Sequence, residues 1–246
     1  MPAFRAYEAA LGLDWRHRRR LDVAGPPLPP ARLRVLVSRT ADPESFVVSG
    51  RRDVEMIESM LTSAGVNIGE FGAILDFGCG CGRVTRHWAH LPTTEVHGTD
   101  YNRKLVDWCA RHLAFARFYT NELSPPTSFD GERFDFIYAI SVLTHLRERL
   151  GRSWMEEFRR ILRPGGFLLV TLQGSHYLAR LGAEDRAAFE AGEVVVVRER
   201  AEGSNVCSTY HPRSYVEETL AEGFELKSFR SGSEEMMQDV VLFQMS

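Results

Sequence analysis

The chain has 246 residues, 44% of them hydrophobic, which is ample for one α/β core and short for two. A net charge of −3 and a pI near 6.3 give no global basic field, so neither nucleic acid nor an anionic membrane is an expected partner. The 4 cysteines form no C-x-x-C pair, and the start MPAFRAYEAALGLDWRHRRR lacks an apolar signal core, so a soluble cytoplasmic protein is expected.

Phe4, Tyr7, Leu11 and Trp15 recur at helical spacing and predict an amphipathic helix over the first twenty residues. Its basic end Arg16–Arg20 reads as a solvated helix terminus, and AGPPLPP at 24–30 as a stiff, extended break. Residues 31–43 carry no clear pattern. Over 53–64 Val54, Ile57, Leu61 and Ala64 share one helical face, with Gly65 at the C-terminal cap position. The preceding stretch FVVSGRR offers Arg51 and Arg52 either to a bound carboxylate or simply to solvent at a helix start.

From Ala73 onward, strands and helices alternate. AILDF leads to a helix ending before Pro92, and EVHGTD to a helix over 103–113. FARFYT and RFDFIYAIS follow as strands. A helix with Leu146, Leu150, Trp154, Phe158 and Ile161 in register then leads to the strand GGFLLVTLQ. Such alternation predicts right-handed βαβ units and a parallel sheet covered on both faces. A helix from Pro212 to Gly223 and a hairpin of ELKSFRS and DVVLFQM close the chain. Between them, 174–211 reads as an insertion whose EVVVVRERAEGSNVCSTYH suggests a protruding hairpin.

The stretch ILDFGCGCGRVTR places Gly78, Gly80 and Gly82 where a strand hands over to a helix. Glycine there permits φ > 0 and close approach of a ligand to the backbone. No Lys-Ser/Thr follows the last glycine, which argues against a nucleoside triphosphate. The third glycine comes one residue too early for the dinucleotide fingerprint, and Asp76 would repel a pyrophosphate while suiting a cationic ligand. Cys79 and Cys81 have no nearby partners for zinc and read as small loop fillers. Asp100, closing the next strand in VHGTDYN, is placed to accept ribose hydroxyls, with Tyr101 beside it for an adenine; its plainer role is to open the next helix.

At these residues the sequence resembles the class I S-adenosylmethionine-dependent methyltransferases. DFGCGCGR is similar to their first motif and TDYN to their acidic second-strand motif. FDFIYAISVLTHL and RRILRPGGFLLVT resemble their fourth-strand and fifth-strand segments, so the likeness covers about 70–175. The resemblance implies a Rossmann-like, doubly wound α/β fold: a mostly parallel seven-stranded sheet with an antiparallel last strand. It implies S-adenosyl-L-methionine as cofactor, with Asp76 and the backbone of Gly78, Gly80 and Gly82 around the methionine moiety. Asp100 would hold the ribose and Tyr101 flank the adenine. Asn121 stands near an adenine-reading position, and Ile140 and Ser141 leave the fourth strand beside the cofactor.

The base- and amide-methylating families carry Asp/Asn-Pro-Pro-aromatic after the fourth strand, and this chain has Ala139-Ile140-Ser141-Val142. No nucleophilic cysteine follows that strand and no carboxylate run suits a divalent metal. A small-molecule acceptor, methylated on oxygen or nitrogen, is therefore expected. A hydroxyl acceptor can require a general base, for which His145 and His176 are candidates and His211 a third. The plain alternatives are packing beneath the loop for His145, and solvent-facing loop positions for His176 and His211. Gln238 and Asp239, with the turn SGSEEMM, would reach the cofactor rim if the last strand is antiparallel.

The expected organisation is a helical N-terminal extension over 1–65 and a methyltransferase domain over 66–246. The β-rich insertion 174–211 would lie over the active site. Two other readings compete: a scaffold protein of the same fold, and an NAD-dependent oxidoreductase, which the glycine spacing and Asp76 argue against.

Overall fold

The computed structural model describes residues 25–246, so the helix expected over the first twenty residues lies outside the described part. Residues 26–30 run extended into helix α1 (Ala31–Ser38). Asp42 then caps the long helix α2 (Pro43–Ser63), its carboxylate accepting the Ser45 N–H at 2.7 Å with Pro43 at the first helical position. The helix thus begins well before the expected start at Asp53. The segment Asp42-Pro43-Glu44-Ser45 is its start signal, and Phe46 extends its buried face. Arg51 and Arg52 are exposed on this helix.

Strands β1 (Ala73–Phe77), β2 (Glu95–Asp100), β3 (Ala116–Thr120), β4 (Phe134–Ala139) and β5 (Leu162–Leu172) are mutually parallel. Helix α3 (Arg103–His112) joins β2 to β3, and α4 (Glu148–Ile161) precedes β5. The chain ends in β8 (Phe224–Arg230) and β9 (Asp239–Met245), β9 running antiparallel to both β5 and β8. The sheet order is β3-β2-β1-β4-β5-β9-β8, the mostly parallel seven-stranded arrangement expected.

Alternation along the strands builds two cores. Leu75, Phe77, Ala139, Leu168 and Val170 meet Trp154, Phe158 and Ile161 of α4 on one face. Ile74, Phe136, Tyr138, Leu169 and Leu242 meet Ile57, Met60 and Leu61 of α2 on the other. Truncating a fully buried side chain such as Trp154 to alanine costs about 3–5 kcal/mol by loss of transfer energy and by the cavity left.

Three local expectations are corrected. The segment after β1 is a 3₁₀ turn over Thr85–His90, not a regular α-helix. Its side chains explain this. Thr85 bonds Asp76 and Trp88 bonds Tyr138; with three residues per 3₁₀ turn, positions 85 and 88 eclipse and face the same strand pair. The insertion is less β-rich than expected and does not protrude. It holds helix α5 (Ala183–Glu190) and two three-residue strands, β6 (Val195–Val197) and β7 (Ser208–Tyr210). Its return leg bridges Gln173 at the end of β5 and lies along the loop after β4. The closing helix is short, α6 (Arg213–Tyr215) running into a π turn over Val216–Leu220.

Candidate active site

The carboxyl ends of β1, β2, β4 and β5 form one rim, where open α/β sheets hold ligands. The loop after β1 has all three glycines in the left-handed region, Gly78 at φ +77, Gly80 at +55 and Gly82 at +76. A Cβ on Gly80 would stand 2.7 Å from the Val37 side chain of α1, so that side chain packs directly on the loop backbone. Cys79, Cys81 and Cys109 are buried free thiols; Cys79 and Cys109 each donate to the Gly80 carbonyl, which is the loop-filling role.

Asp100 closes β2 directly opposite. Its Oδ2 accepts the Gly80 N–H at 3.0 Å and its Oδ1 the Asn102 N–H at 2.8 Å. The cap of α3 is Asn102, not Asp100, so Asp100 is not spent on opening that helix. Burial pushes its pKa up, and the two N–H donors oppose that. Each carboxylate oxygen keeps a lone pair, the donor chemistry two vicinal ribose hydroxyls require. Tyr101 beside it is half exposed, with its ring available.

Asp76 is only 4% exposed at the end of β1. Thr85 donates its hydroxyl proton to Oδ2, and the Tyr138 hydroxyl faces the same carboxylate. Desolvation dominates and raises its pKa to about 6. Asn121, after β3, has its amide engaged by the protein: its oxygen accepts from Thr99 at 2.7 Å and its nitrogen donates to the Glu122 carbonyl.

Beyond β4, Ile140 packs at the margin of the α2-side core, and Ser141 adopts φ +57. The Ser141 N–H donates to Thr171 Oγ1 at 2.7 Å, and its hydroxyl donates to Gln238 Oε1 at 2.8 Å. Ser141 therefore ties β4 to β5 and to the start of β9. Gln238 and Asp239 do stand at this rim; Asp239 accepts the Gly232 N–H and touches Gly174.

The three histidines have different surroundings. His145 Nδ1 donates to the Cys207 carbonyl at 2.7 Å, which leaves Nε2 as the acceptor nitrogen of a neutral ring, and burial lowers its pKa. His176 is exposed beside the 232 turn. His211 is buried, its pKa lowered to about 4 by desolvation, and its Nδ1 has no hydrogen-bond partner among the described residues.

Two features were missed in the sequence. Arg86, buried inside the loop after β1, donates to the carbonyls of Pro26 and Pro27 and holds the proline strap against the body. Asn205 of the insertion donates to the Leu36 carbonyl at 2.7 Å, and Arg39 returns a bond to the Asn205 carbonyl, so insertion and α1 meet above the rim. An arginine just past a glycine loop and an asparagine in a turn are the only signals either left in sequence.

Residues 75–168 match the family model described as "Methyltransferase domain". A "Ubiquinone biosynthesis O-methyltransferase" of Cereibacter sphaeroides is 30% identical over 118 residues, 45% of this chain and 47% of that protein. "Methyltransferase GfsG" of Streptomyces halstedii is 28% identical over 139 residues, 52% of this chain and 47% of that one. The chain thus spans about half the length of these curated relatives. In fold it is similar to an S-adenosylmethionine-dependent methyltransferase of Mesorhizobium loti, with a TM-score of 0.61 at 16% identity over 80% of this chain and 99% of that one. Glycine loop, acidic second-strand end and sheet order agree with the matched segment: residues 75–168 belong to a methyltransferase domain, and the fold is that of the S-adenosylmethionine-dependent methyltransferases.

Proposed function

We propose that this chain transfers a methyl group from S-adenosylmethionine to an oxygen or nitrogen of a small-molecule acceptor. The observation that carries the reading is the junction of the two cofactor motifs, where the Gly80 N–H in a left-handed loop meets the Asp100 carboxylate. When bound, the cofactor supplies a sulfonium methyl already activated for in-line displacement, so the protein's task is to bind, align and exclude water.

Asp100 holds the ribose hydroxyls, and Tyr101 lies along the adenine. Asn121 lines the adenine end through its backbone and exposed edge, its amide being engaged elsewhere. Asp76 and the backbone of Gly78, Gly80 and Gly82 surround the methionine moiety, while Ile140 and Ser141 border it from β4. The described part of the N-terminal extension, residues 25–65, and the insertion 174–211 form the acceptor pocket; the Asn205–Leu36 and Arg39–Asn205 bonds between them support this. His145 is the general base for a hydroxyl acceptor, being neutral with Nε2 as its acceptor nitrogen. His176, exposed, is the weaker candidate. The name of the relative "Ubiquinone biosynthesis O-methyltransferase" supports an oxygen acceptor, and a nitrogen acceptor stays within the proposal.

The test is calorimetric titration with S-adenosylmethionine, S-adenosylhomocysteine and NAD, followed by labelled-methyl transfer to panels of phenols and amines. Binding of both sulfur nucleosides and transfer to one panel are expected. Binding of NAD alone overturns the reading, and cofactor binding without transfer to any acceptor favours a scaffold role.

A further inference from the structure

Beneath the glycine loop lies a buried network of hydroxyls around Asp76. Asp76 and Tyr138 are register partners on the adjacent parallel strands β1 and β4, so their side chains stand side by side on one face. Trp88 Nε1–H donates to the Tyr138 hydroxyl at 2.9 Å, occupying an oxygen lone pair and leaving the hydroxyl proton for Asp76. Thr85 donates to the same carboxylate. Thr85 and Tyr138 are themselves fully buried.

The other charged and titratable groups facing Asp76 are few. Arg83 attracts it from the same loop, with its guanidinium shared with Asp53 of α2 at 2.6 Å. Asp100 repels it from the end of β2, and the Cys79 thiol is held protonated. A carboxylate this deep stays charged only where donors or cations face it.

We propose that Thr85 and Tyr138 are positioning residues for cofactor binding: their hydroxyls hold the Asp76 carboxylate charged and oriented toward the α-ammonium end of S-adenosylmethionine, and so set the pH below which the cofactor is released. This rests on the methyltransferase reading and on Asp76 lying beside the methionine moiety. A cationic ligand favours the charged carboxylate, so affinity is full above the apo-protein pKa of about 6 and falls as pH drops through it. Binding below that pH releases a proton.

The probe is S-adenosylhomocysteine, which keeps the α-ammonium, lacks the sulfonium and needs no acceptor. Its affinity is measured by calorimetry from pH 5 to 8 for the wild type and for Asp76→Asn, Thr85→Val, Thr85→Ser and Tyr138→Phe. Wild-type affinity should be level above pH 7 and weaken by up to about tenfold per pH unit below the midpoint. Thr85→Val should move the midpoint upward, Tyr138→Phe should move it upward by less, Thr85→Ser should restore it, and Asp76→Asn should flatten the profile.

A purely structural role would weaken binding at every pH without moving the midpoint. An unmoved midpoint in both Thr85→Val and Tyr138→Phe overturns the proposal, as does a wild-type profile kept by Asp76→Asn. If Thr85→Val does not fold, Tyr138→Phe and Thr85→Ser carry the comparison. Tight but pH-independent binding by the wild type overturns this proposal alone, whereas no binding at any pH overturns the cofactor reading with it.

Discussion

The two sides of the rim are built on opposite principles. At the ends of β1 and β2 the polar side chains are engaged: Asp76 by Thr85, Thr99 by Asn121, and Asp100 by two backbone N–H groups. On the β4–β5 side Thr144 Oγ1, Gln173 Oε1 and His211 Nδ1 are buried with no hydrogen-bond partner among the described residues, while on the other side the two such atoms, His87 Nε2 and His97 Nδ1, lie back from the rim, in the turn after β1 and midway along β2. Leaving such an atom unmatched costs about 1–3 kcal/mol. One side is organised in advance for a ligand of constant chemistry; the other tolerates unsatisfied groups where the insertion closes over the sheet.

Substitutions can break this contrast. Asp100→Ala removes a charged acceptor and the anchor of the Gly80 N–H. S-adenosylhomocysteine affinity should fall by about 100-fold or more, since the hydrogen bonds of two ribose hydroxyls are lost and each hydrogen bond to a charged group contributes about 1.5–3 kcal/mol. Near-normal affinity by calorimetry would show that the engaged side does not hold the cofactor.

His211 tests the opposite side through pH. Its native pKa of about 4 lies below the usual value of 6.5, so the unfolded chain binds a proton that the native state refuses. Its contribution to stability is therefore present above pH 6.5 and lost as pH falls toward 4. Over that window wild type should lose up to about 3 kcal/mol relative to His211→Leu in urea titrations. Parallel curves would place the ring in contact with solvent.

Gly80→Ala forces a side chain into φ +55 and against Val37, at a cost of about 1–2 kcal/mol for the left-handed conformation alone. Melting temperature should drop, and Val37→Ala in the same chain should recover the part due to collision. The smallest effects separate the histidines. His145→Ala should cost about 1 kcal/mol by stranding the Cys207 carbonyl, whereas the exposed His176→Ala should stay within about 0.5 kcal/mol. If His145 is also the base, its loss should lower kcat by about 100-fold or more with a phenol acceptor, an effect far beyond its stability cost.

The cofactor side was readable in sequence because its signals are local. Gly78, Gly80 and Gly82 announce positive φ, and Asp100 announces a strand-end acceptor, within a single βαβ unit. The parallel strands and the closing hairpin were legible as alternating apolar segments, and the seven-stranded arrangement came with the family resemblance. What escaped depends on distant partners. Position 85 turns tightly because Thr85 and Trp88 answer Asp76 and Tyr138, and the latter lies on a strand fifty residues later in the Trp88–Tyr138 bond. The insertion lies flat because Cys207 and Thr209 bond the loop after β4, which no periodicity reveals. The early start of α2 is marked in sequence by Asp42-Pro43, but the apolar stripe is clearest further on, from Val54.

Arg86 grips the strap over 26–30 by the carbonyl oxygens of Pro26 and Pro27. Carbonyls belong to every residue, so at positions 26 and 27 the strap is held by its path and not by its side chains. Arg34 grips the same strap by the Pro29 carbonyl and Leu28 packs on the core beside α1, so replacement of Arg86 loosens the 26–27 end while the 28–30 end stays attached. The two prolines at the 26–27 end can therefore be exchanged without losing the grip, provided an arginine stands just behind the glycine loop.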